Sequence, residues 1–117
     1  MISNSNKKSI LLSMIALFIG ISSSVMAGEF DGSWTLNDTN GKPFQATFSK
    51  DGTASGTHGD AMKHGTWKEE NGAAVIHWNT GWISVIEKNG NKYIKKAYKP
   101  GTSMTDRPTN TSDAIKK

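Results

Sequence analysis

The 117-residue sequence contains no cysteine, which excludes disulfide bonds and a lipid anchor attached through a cysteine. Small exported domains often depend on disulfides, so the folded state here has to be stabilised by the burial of apolar side chains. All four tryptophans follow residue 27. Because each large aromatic side chain can bury about 150–250 Å², the chain can form a core without a cross-link.

Long apolar runs are confined to the first 27 residues. Lys7 and Lys8 precede an apolar run of about 12 residues at 10–21, which is shorter than the ~20 residues that a membrane-spanning helix needs. Val25 and Ala27 then give the small-x-small pattern of a cleavage site. We predict a cleavable signal peptide at 1–27, of bacterial type. The protein is then periplasmic or secreted, with no membrane span after cleavage.

The excess of positive charge is small. There are 14 Lys and Arg residues against 10 Asp and Glu, and loss of Lys7 and Lys8 leaves a net charge of +2. The densest basic stretch, at 92–99, alternates lysines with apolar residues, as expected for a strand with solvated edges. We therefore expect no nucleic-acid partner.

Sequence motifs of catalysis are also missing. The chain has no nucleophile elbow, H-E-x-x-H motif, paired-carboxylate signature or phosphate-cradling glycine loop. We expect a protein that is not an enzyme and that has no cofactor.

What the sequence does contain is a regular series of turn signals. Asn or Asp precedes Gly at positions 40, 51, 71 and 89, and such dipeptides favour type I′ hairpin turns. Their spacing is close to the ~8–12 residues of successive short strands. The interpretation is an all-β, antiparallel meander of about seven short strands, forming a small barrel or half-barrel. The predicted strands are 32–36, 44–50, 53–57, 64–69, 73–79, 82–88 and 92–99.

The predicted domain covers 28–100, and a polar C-terminal tail covers 101–117. Pro100-Gly101 ends the last predicted strand, and Pro108 interrupts the polar segment that follows. Only the segment 111–117 has a weak helical pattern, so a short final turn is the sole helix considered.

Turn geometry also predicts the register. An Asn71-Gly72 turn places Trp67 opposite Ile76, and a three-residue loop at 79–81 places Trp78 opposite Trp82. An Asn89-Gly90 turn would pair Ile86 with Tyr93. Because side chains alternate between faces, one face then carries Trp67, Ile76, Trp78, Trp82, Ile86 and Tyr93. Two further sets of shared parity join it in the predicted core: Phe30, Trp34 and Leu36, and Phe44, Ala46 and Phe48.

Two groups of side chains are candidates for binding. The aromatic residues predicted to contact a ligand are Trp67, Trp78, Trp82 and Tyr93, which could equally be core residues. On the opposite face, an apolar stripe needs a cover, for which the tail, a second subunit or a partner are candidates. Self-association is therefore one hypothesis for the stripe, which consists of Val75, Ile83, Val85 and Ile94.

A metal site is a weaker hypothesis. His58, Asp60 and His64 lie in one predicted loop, and His77 lies on a later strand. Imidazole and carboxylate groups bind Zn or Cu, but the spacing matches no rigid template. The prediction is therefore a flexible polar loop and no metal.

Two resemblances accompany these patterns. Gly32-Ser33-Trp34, followed by a meander of hairpins, resembles the start of lipocalin-like and other calycin β-barrels. That resemblance implies a small apolar ligand inside the barrel. Other stretches resemble small exported bacterial domains of uncharacterised function, which imply no activity; these stretches are 65–67, 76–82 and 97–101.

The expected function is a non-enzymatic binding or interaction module, whose partner is a small molecule or an extracytoplasmic protein. One alternative is a secreted protein inhibitor or host-directed factor. Another is a small hydrolase or metal-dependent enzyme.

Overall fold

A computed structural model of the chain describes residues 28–117, so the predicted signal peptide lies outside the described residues. The described part is all-β, and no helix within it is long and apolar enough to cross a membrane. Its strands are β1 Gly32–Asn37, β2 Pro43–Phe48, β3 Thr53–His58, β4 Ala61–Glu70, β5 Ala73–Trp78, β6 Ile83–Asn89, β7 Lys92–Tyr98 and β8 Asn110–Lys116.

The eight strands form a closed antiparallel barrel in sequence order. This confirms the meander and selects the barrel over the half-barrel. The barrel is closed by β8, which pairs with β7 on one side and with β1 on the other, for example Leu36 with Ala114. Residues 110–116 were expected in a polar tail, with a helical turn from 111. Instead they form a strand, because pairing on both edges outweighs their weak local preference.

The barrel has two ends, which differ in the loops that they carry. At one end lie the turns at 49–52, 71–72 and 90–91, together with the segment 28–31 that leads into β1. We call this the closed end. At the other end lie the loops at 38–42, 59–60, 79–81 and 99–109, and we call it the open end.

Only one of the four Asn/Asp-Gly signals forms the predicted type I′ turn. Asn71 and Gly72 both have positive φ, 53° and 82°. At Gly41, Gly52 and Gly81, the glycine alone has positive φ and ends a three-residue loop, with its N–H donating three residues back. That pattern is a type I turn followed by a bulge, as predicted for 79–81 but not for 40–41 or 51–52.

The predicted register is confirmed for two hairpins and wrong for one. Trp67 pairs with Ile76, and the Trp78 N–H donates to the Trp82 carbonyl at 2.9 Å. In the β6–β7 hairpin, however, Tyr93 pairs with Lys88 rather than with Ile86. The turn is Gly90-Asn91, where positive φ at the first position is typical of type II′. This slip of two residues preserves the face on which each side chain lies.

The barrel interior contains every residue of the predicted core. Trp34, Leu36, Ile76 and Ile86 are fully buried, and Phe30 is 1% exposed. Trp67, Trp82 and Tyr93 are partly buried against this core. At the closed end, Phe30 stacks near Trp34, with ring centroids 6.3 Å apart, and the Trp34 indole N–H donates to the Phe30 carbonyl at 2.8 Å. The segment before β1 therefore plugs this end with aromatic rings.

The outer apolar stripe is largely covered within one chain. Val75 and Val85 pair directly and form a buried cluster with Tyr98. Met104, in the loop before β8, lines the same shallow groove. Ile83 and Ile94 are half-buried. The loop thus supplies part of the cover, and self-association through this face stays a prediction.

Candidate functional site

The structure divides the four predicted ligand-binding aromatics between the two ends of the barrel. Trp78 and Trp82 lie at the open end, where they line a cavity of about 250 Å³. Trp67 and Tyr93 lie at the closed end. The indole N–H of Trp67 donates to the Ser49 carbonyl at 2.7 Å, and its ring packs 5.7 Å from that of Phe48. Only the first pair shares a cavity.

The open-end cavity has a polar interior. Besides the two tryptophans, its lining consists of Asp38, Thr39, Lys63, Thr80, Ser84 and Lys95. The cavity opens to solvent at this end of the barrel. A small ligand fits this space, and an extended lipid does not.

Lys95 is the most unusual residue in this lining, because a lysine side chain points into the barrel. It follows Tyr93 and precedes Ala97 on the inward face of β7, and it is 4% exposed. Its Nζ donates to the Asn37 carbonyl oxygen at 2.5 Å and lies 5.3 Å from the centre of the Phe44 ring. Burial, together with the nearby Lys63 charge, lowers the pKa of Lys95 to about 8.

Lys63 brings a second ammonium group to the same ring. Its Nζ lies 4.3 Å from the centre of Phe44 and 4.6 Å from that of Trp78, within cation–π range. The path of the Lys63 side chain depends on Gly56, its partner across the β3–β4 pair. A Cβ at Gly56 would come within 3.2 Å of Lys63 Cε. Burial also lowers the pKa of Lys63.

The nearest carboxylate is held at the rim by other groups. Asp38 Oδ1 accepts the backbone N–H groups of Asn40 and Lys42, both at 2.8 Å, and Oδ2 lies 2.7 Å from His58 Nε2. The bond from Lys42 is the largest cause that lowers the pKa of Asp38. The negative charge of Asp38 partly offsets the fall in the pKa of both Lys63 and Lys95. However, neither Lys63 nor Lys95 forms an ion pair with a carboxylate of residues 28–117.

The two tryptophans of the open end differ in exposure and in the hydrogen bonding of their indole N–H groups. Trp78 is 4% exposed, and its indole N–H donates to Ser84 Oγ at 3.0 Å, so it is both a core residue and part of the cavity wall. Trp82, directly across the hairpin, is half-buried at the mouth and has no indole hydrogen bond within the described chain. Trp82 therefore presents the surface that a ligand would meet first.

A larger groove of about 390 Å³ lies at the seam between β7 and β8, towards the closed end. Tyr93 lines it, but most of its other lining residues are exposed, among them Asn91, Lys92 and Ile115. It holds no buried polar side chain comparable to Lys95. The open-end cavity is therefore the stronger candidate.

The histidines of the metal hypothesis do not converge. His58 points inward at the rim, His64 is exposed on the outer face of β4, and His77 is exposed on the outer face of β5. Within residues 28–117, no group of three or more His, Asp or Glu side chains is placed to hold a metal ion.

Sequence analysis missed the lysines of the cavity. The stretch 92–99 was interpreted as a strand with solvated edges, but alternation from Tyr93 places Lys95 on the core face. Alternation along the predicted strand therefore indicated the position of Lys95. It gave no such indication for Lys63, because the predicted strand began at residue 64 whereas β4 begins at Ala61.

The fold and cavity together define a small closed β-barrel, consistent in shape with the calycin barrels, with one plugged end and one polar open end. No protein-family model, curated protein or solved structure matches the chain.

Proposed function

We propose that this protein is an exported, non-enzymatic binding protein that takes a small molecule into the open end of its barrel. One observation carries the proposal: two lysine side chains, buried Lys95 and half-buried Lys63, line one cavity and form no ion pair with a carboxylate of residues 28–117. Burying an ammonium group without a partner opposes folding. Such groups are concentrated at functional sites, where a ligand supplies the missing interaction.

The asymmetry of the barrel supports the same proposal. Aromatic side chains fill the closed end, whereas the open end leaves about 250 Å³ beside Trp78 and Trp82. Indole rings provide flat apolar contact area for a ligand. A ligand inside a β-barrel is also what the resemblance to lipocalin-like proteins implies, although this cavity suits a much smaller molecule than a lipid.

The test is a thermal-shift and tryptophan-fluorescence screen of the mature chain with small acidic, neutral and basic compounds. A ligand that binds only the folded state raises the unfolding midpoint in proportion to the logarithm of its concentration. We expect a hit whose effect is lost in Trp82→Ala and kept in Lys92→Ala, which alters an exposed residue on β7 away from the cavity. If no compound raises the midpoint, or if Trp82→Ala binds as well as the parent, the proposal is wrong.

A further inference from the structure

We propose that the ligand of the open end is a small oxyanion, a carboxylate or a phosphate, bound between Lys63 and Lys95. The inference rests on the proposed function and adds the chemical class of the ligand. Its basis is the arrangement of both ammonium groups around the single ring of Phe44.

The positive charge of the cavity exceeds its negative charge, because Lys63 and Lys95 are offset by the single carboxylate of Asp38. Among the described residues, Lys95 Nζ has one hydrogen bond, to the neutral Asn37 carbonyl, and Lys63 Nζ contacts the rings of Phe44 and Trp78 without a hydrogen bond. Each ammonium group has three N–H donors, so donors remain available at both sites. Asp38, the carboxylate at the rim, already accepts two backbone N–H groups and contacts His58. An oxyanion would complete the hydrogen bonding of both lysines and remove their mutual repulsion.

Ser84 adds a hydroxyl group to the cavity lining. Its Oγ accepts the Trp78 indole N–H at 3.0 Å, so its own O–H can donate to an oxyanion. The aromatic part of the wall consists of Trp78 and Trp82, and the Phe44 ring supports Trp78 in a T-shaped contact at 6.4 Å. This composition fits an anion that carries a small planar or apolar group.

Matched acid and amide probes test the charge directly. Benzoate and phenyl phosphate represent the two oxyanions, and benzamide is the neutral isostere of benzoate. We expect titration calorimetry to give at least a tenfold tighter dissociation constant for one or both oxyanions than for benzamide. The preference should disappear in Lys95→Met and in Lys63→Met. Lys92→Met, an outward change on the same strand, should keep it.

The outcomes separate the two proposals. Equal binding of benzamide and the oxyanions would refute the anion inference and leave the binding function in place. A preference that survives both cavity substitutions would also refute it. If none of the three probes binds, the anion inference is refuted, and if the wider screen also gives no hit, both proposals fail. Thermal unfolding of each variant establishes that it is folded, and the relative affinities of benzoate and phenyl phosphate distinguish a carboxylate from a phosphate ligand.

A buried carboxylate oxygen at the closed end supports a second, independent proposal. Asp31 Oδ1 is buried and has no hydrogen-bond partner among residues 28–117. The Gly28 main chain lies beside it, since a Cβ on Gly28 would be 3.1 Å from this oxygen. Cleavage after Ala27, as the sequence predicts, would make Gly28 the amino terminus.

We infer that the new α-ammonium group of Gly28 pairs with Asp31 and fixes the plug. An α-amino group is positively charged at neutral pH, so processing would supply the partner that Asp31 Oδ1 lacks among the described residues. Phe30 lies between the two residues in sequence and is 1% exposed inside the barrel end. The ion pair would therefore close a short loop around the plugging ring.

Two forms of the protein test this pair. One begins at Gly28, and the other retains Ala27, which moves the ammonium group one residue away. We expect the first to unfold at the higher temperature, and Asp31→Asn to remove the difference. Glu29→Gln, a neighbouring change, should preserve it. Equal unfolding midpoints for the proteins that begin at Gly28 and at Ala27 would show that no such pair contributes. A difference that persists in Asp31→Asn would show the same.

Discussion

The two ends of the barrel differ in their interior side chains, because lysines accompany the aromatic rings in the cavity of the open end. At the closed end, the rings of Phe30, Trp34 and Tyr93 are in mutual contact, with the Trp34 and Tyr93 centroids 4.9 Å apart. At the open end, buried Lys95 and half-buried Lys63 line the cavity. The same strands run through both ends, so the difference lies in the residues and not in the architecture.

The comparison distinguishes residues whose burial stabilises the barrel from residues whose burial lowers its stability. Burial of an aromatic side chain stabilises the fold, whereas burial of an ammonium group opposes it. A domain of about 90 residues has little stability to spare. Retaining two interior lysines under that constraint is what we expect of a binding site.

The largest effect is expected from Trp34→Ala at the closed end. Trp34 has no exposed surface, and its indole also holds the Phe30 carbonyl. Removing a buried tryptophan costs about 3–5 kcal/mol, so the variant should be unfolded or close to it. Urea denaturation measures the loss. Trp82→Ala at the open end is the matched control, and an equal loss in the two variants would erase the distinction between the ends.

Lys95→Met is expected to change stability in the opposite direction. A fall in pKa from 10.5 to about 8 corresponds to about 3 kcal/mol of opposition to folding at neutral pH. The substitution leaves the Asn37 carbonyl without its donor, which costs about 1–3 kcal/mol. We expect a net stabilisation of about 1 kcal/mol, measured by denaturant unfolding at pH 7. A destabilised Lys95→Met protein would mean that this lysine is structural.

The pH dependence of stability tests the same charge without a ligand. Between pH 8 and 10.5, the unfolded chain holds the Lys95 proton more tightly than the folded chain. The free energy of unfolding contributed by this group therefore rises with pH across that window. Relative to Lys95→Met, the parent should gain up to about 3 kcal/mol. Parallel curves for the two proteins would contradict a lowered pKa.

The smallest effect is expected from Tyr93→Phe at the closed end. The Tyr93 hydroxyl donates to Glu29 Oε2 at 2.6 Å, and this bond is the main cause that lowers the pKa of Glu29. Its contribution is present above the usual pKa of 4.5 and is lost as pH falls through the folded value. The variant should have a slightly lower unfolding midpoint at pH 7, and the gap should narrow at pH 3. A gap that is independent of pH would assign the effect to packing.

The sequence predicted side-chain faces better than it predicted partners. Alternation alone identified the core, and the Asn71-Gly72 turn fixed the Trp67–Ile76 pair. The Asn89-Gly90 signal failed because a glycine can occupy either position of a two-residue loop, and local preference does not choose between them. Because the register shifted by two residues, each side chain stayed on its predicted face, and the predicted core residues remained correct.

Two other features lay beyond local sequence reasoning. β8 contains one buried apolar residue, Ala114; β7 precedes it closely, but its other pairing partner, β1, lies about 80 positions earlier in the chain. Lys95 was assigned to solvent by its residue type, although its parity assigns it to the interior. Both cases need long-range information: the first needs an edge to pair with, and the second needs a cavity to enter.

Closure by β8 has a consequence for how the chain folds. β1 cannot complete its pairing until residues 110–116 are available, about 80 positions later in the chain. Such a non-local contact carries a large loop-closure entropy and places this barrel among slow-folding topologies. A chain that is still being synthesised or threaded N-terminus first therefore keeps β1 and β7 unpaired on one edge. The barrel can therefore close only after residues 110–116 have emerged, so the availability of β8 sets the earliest point at which the fold can be completed.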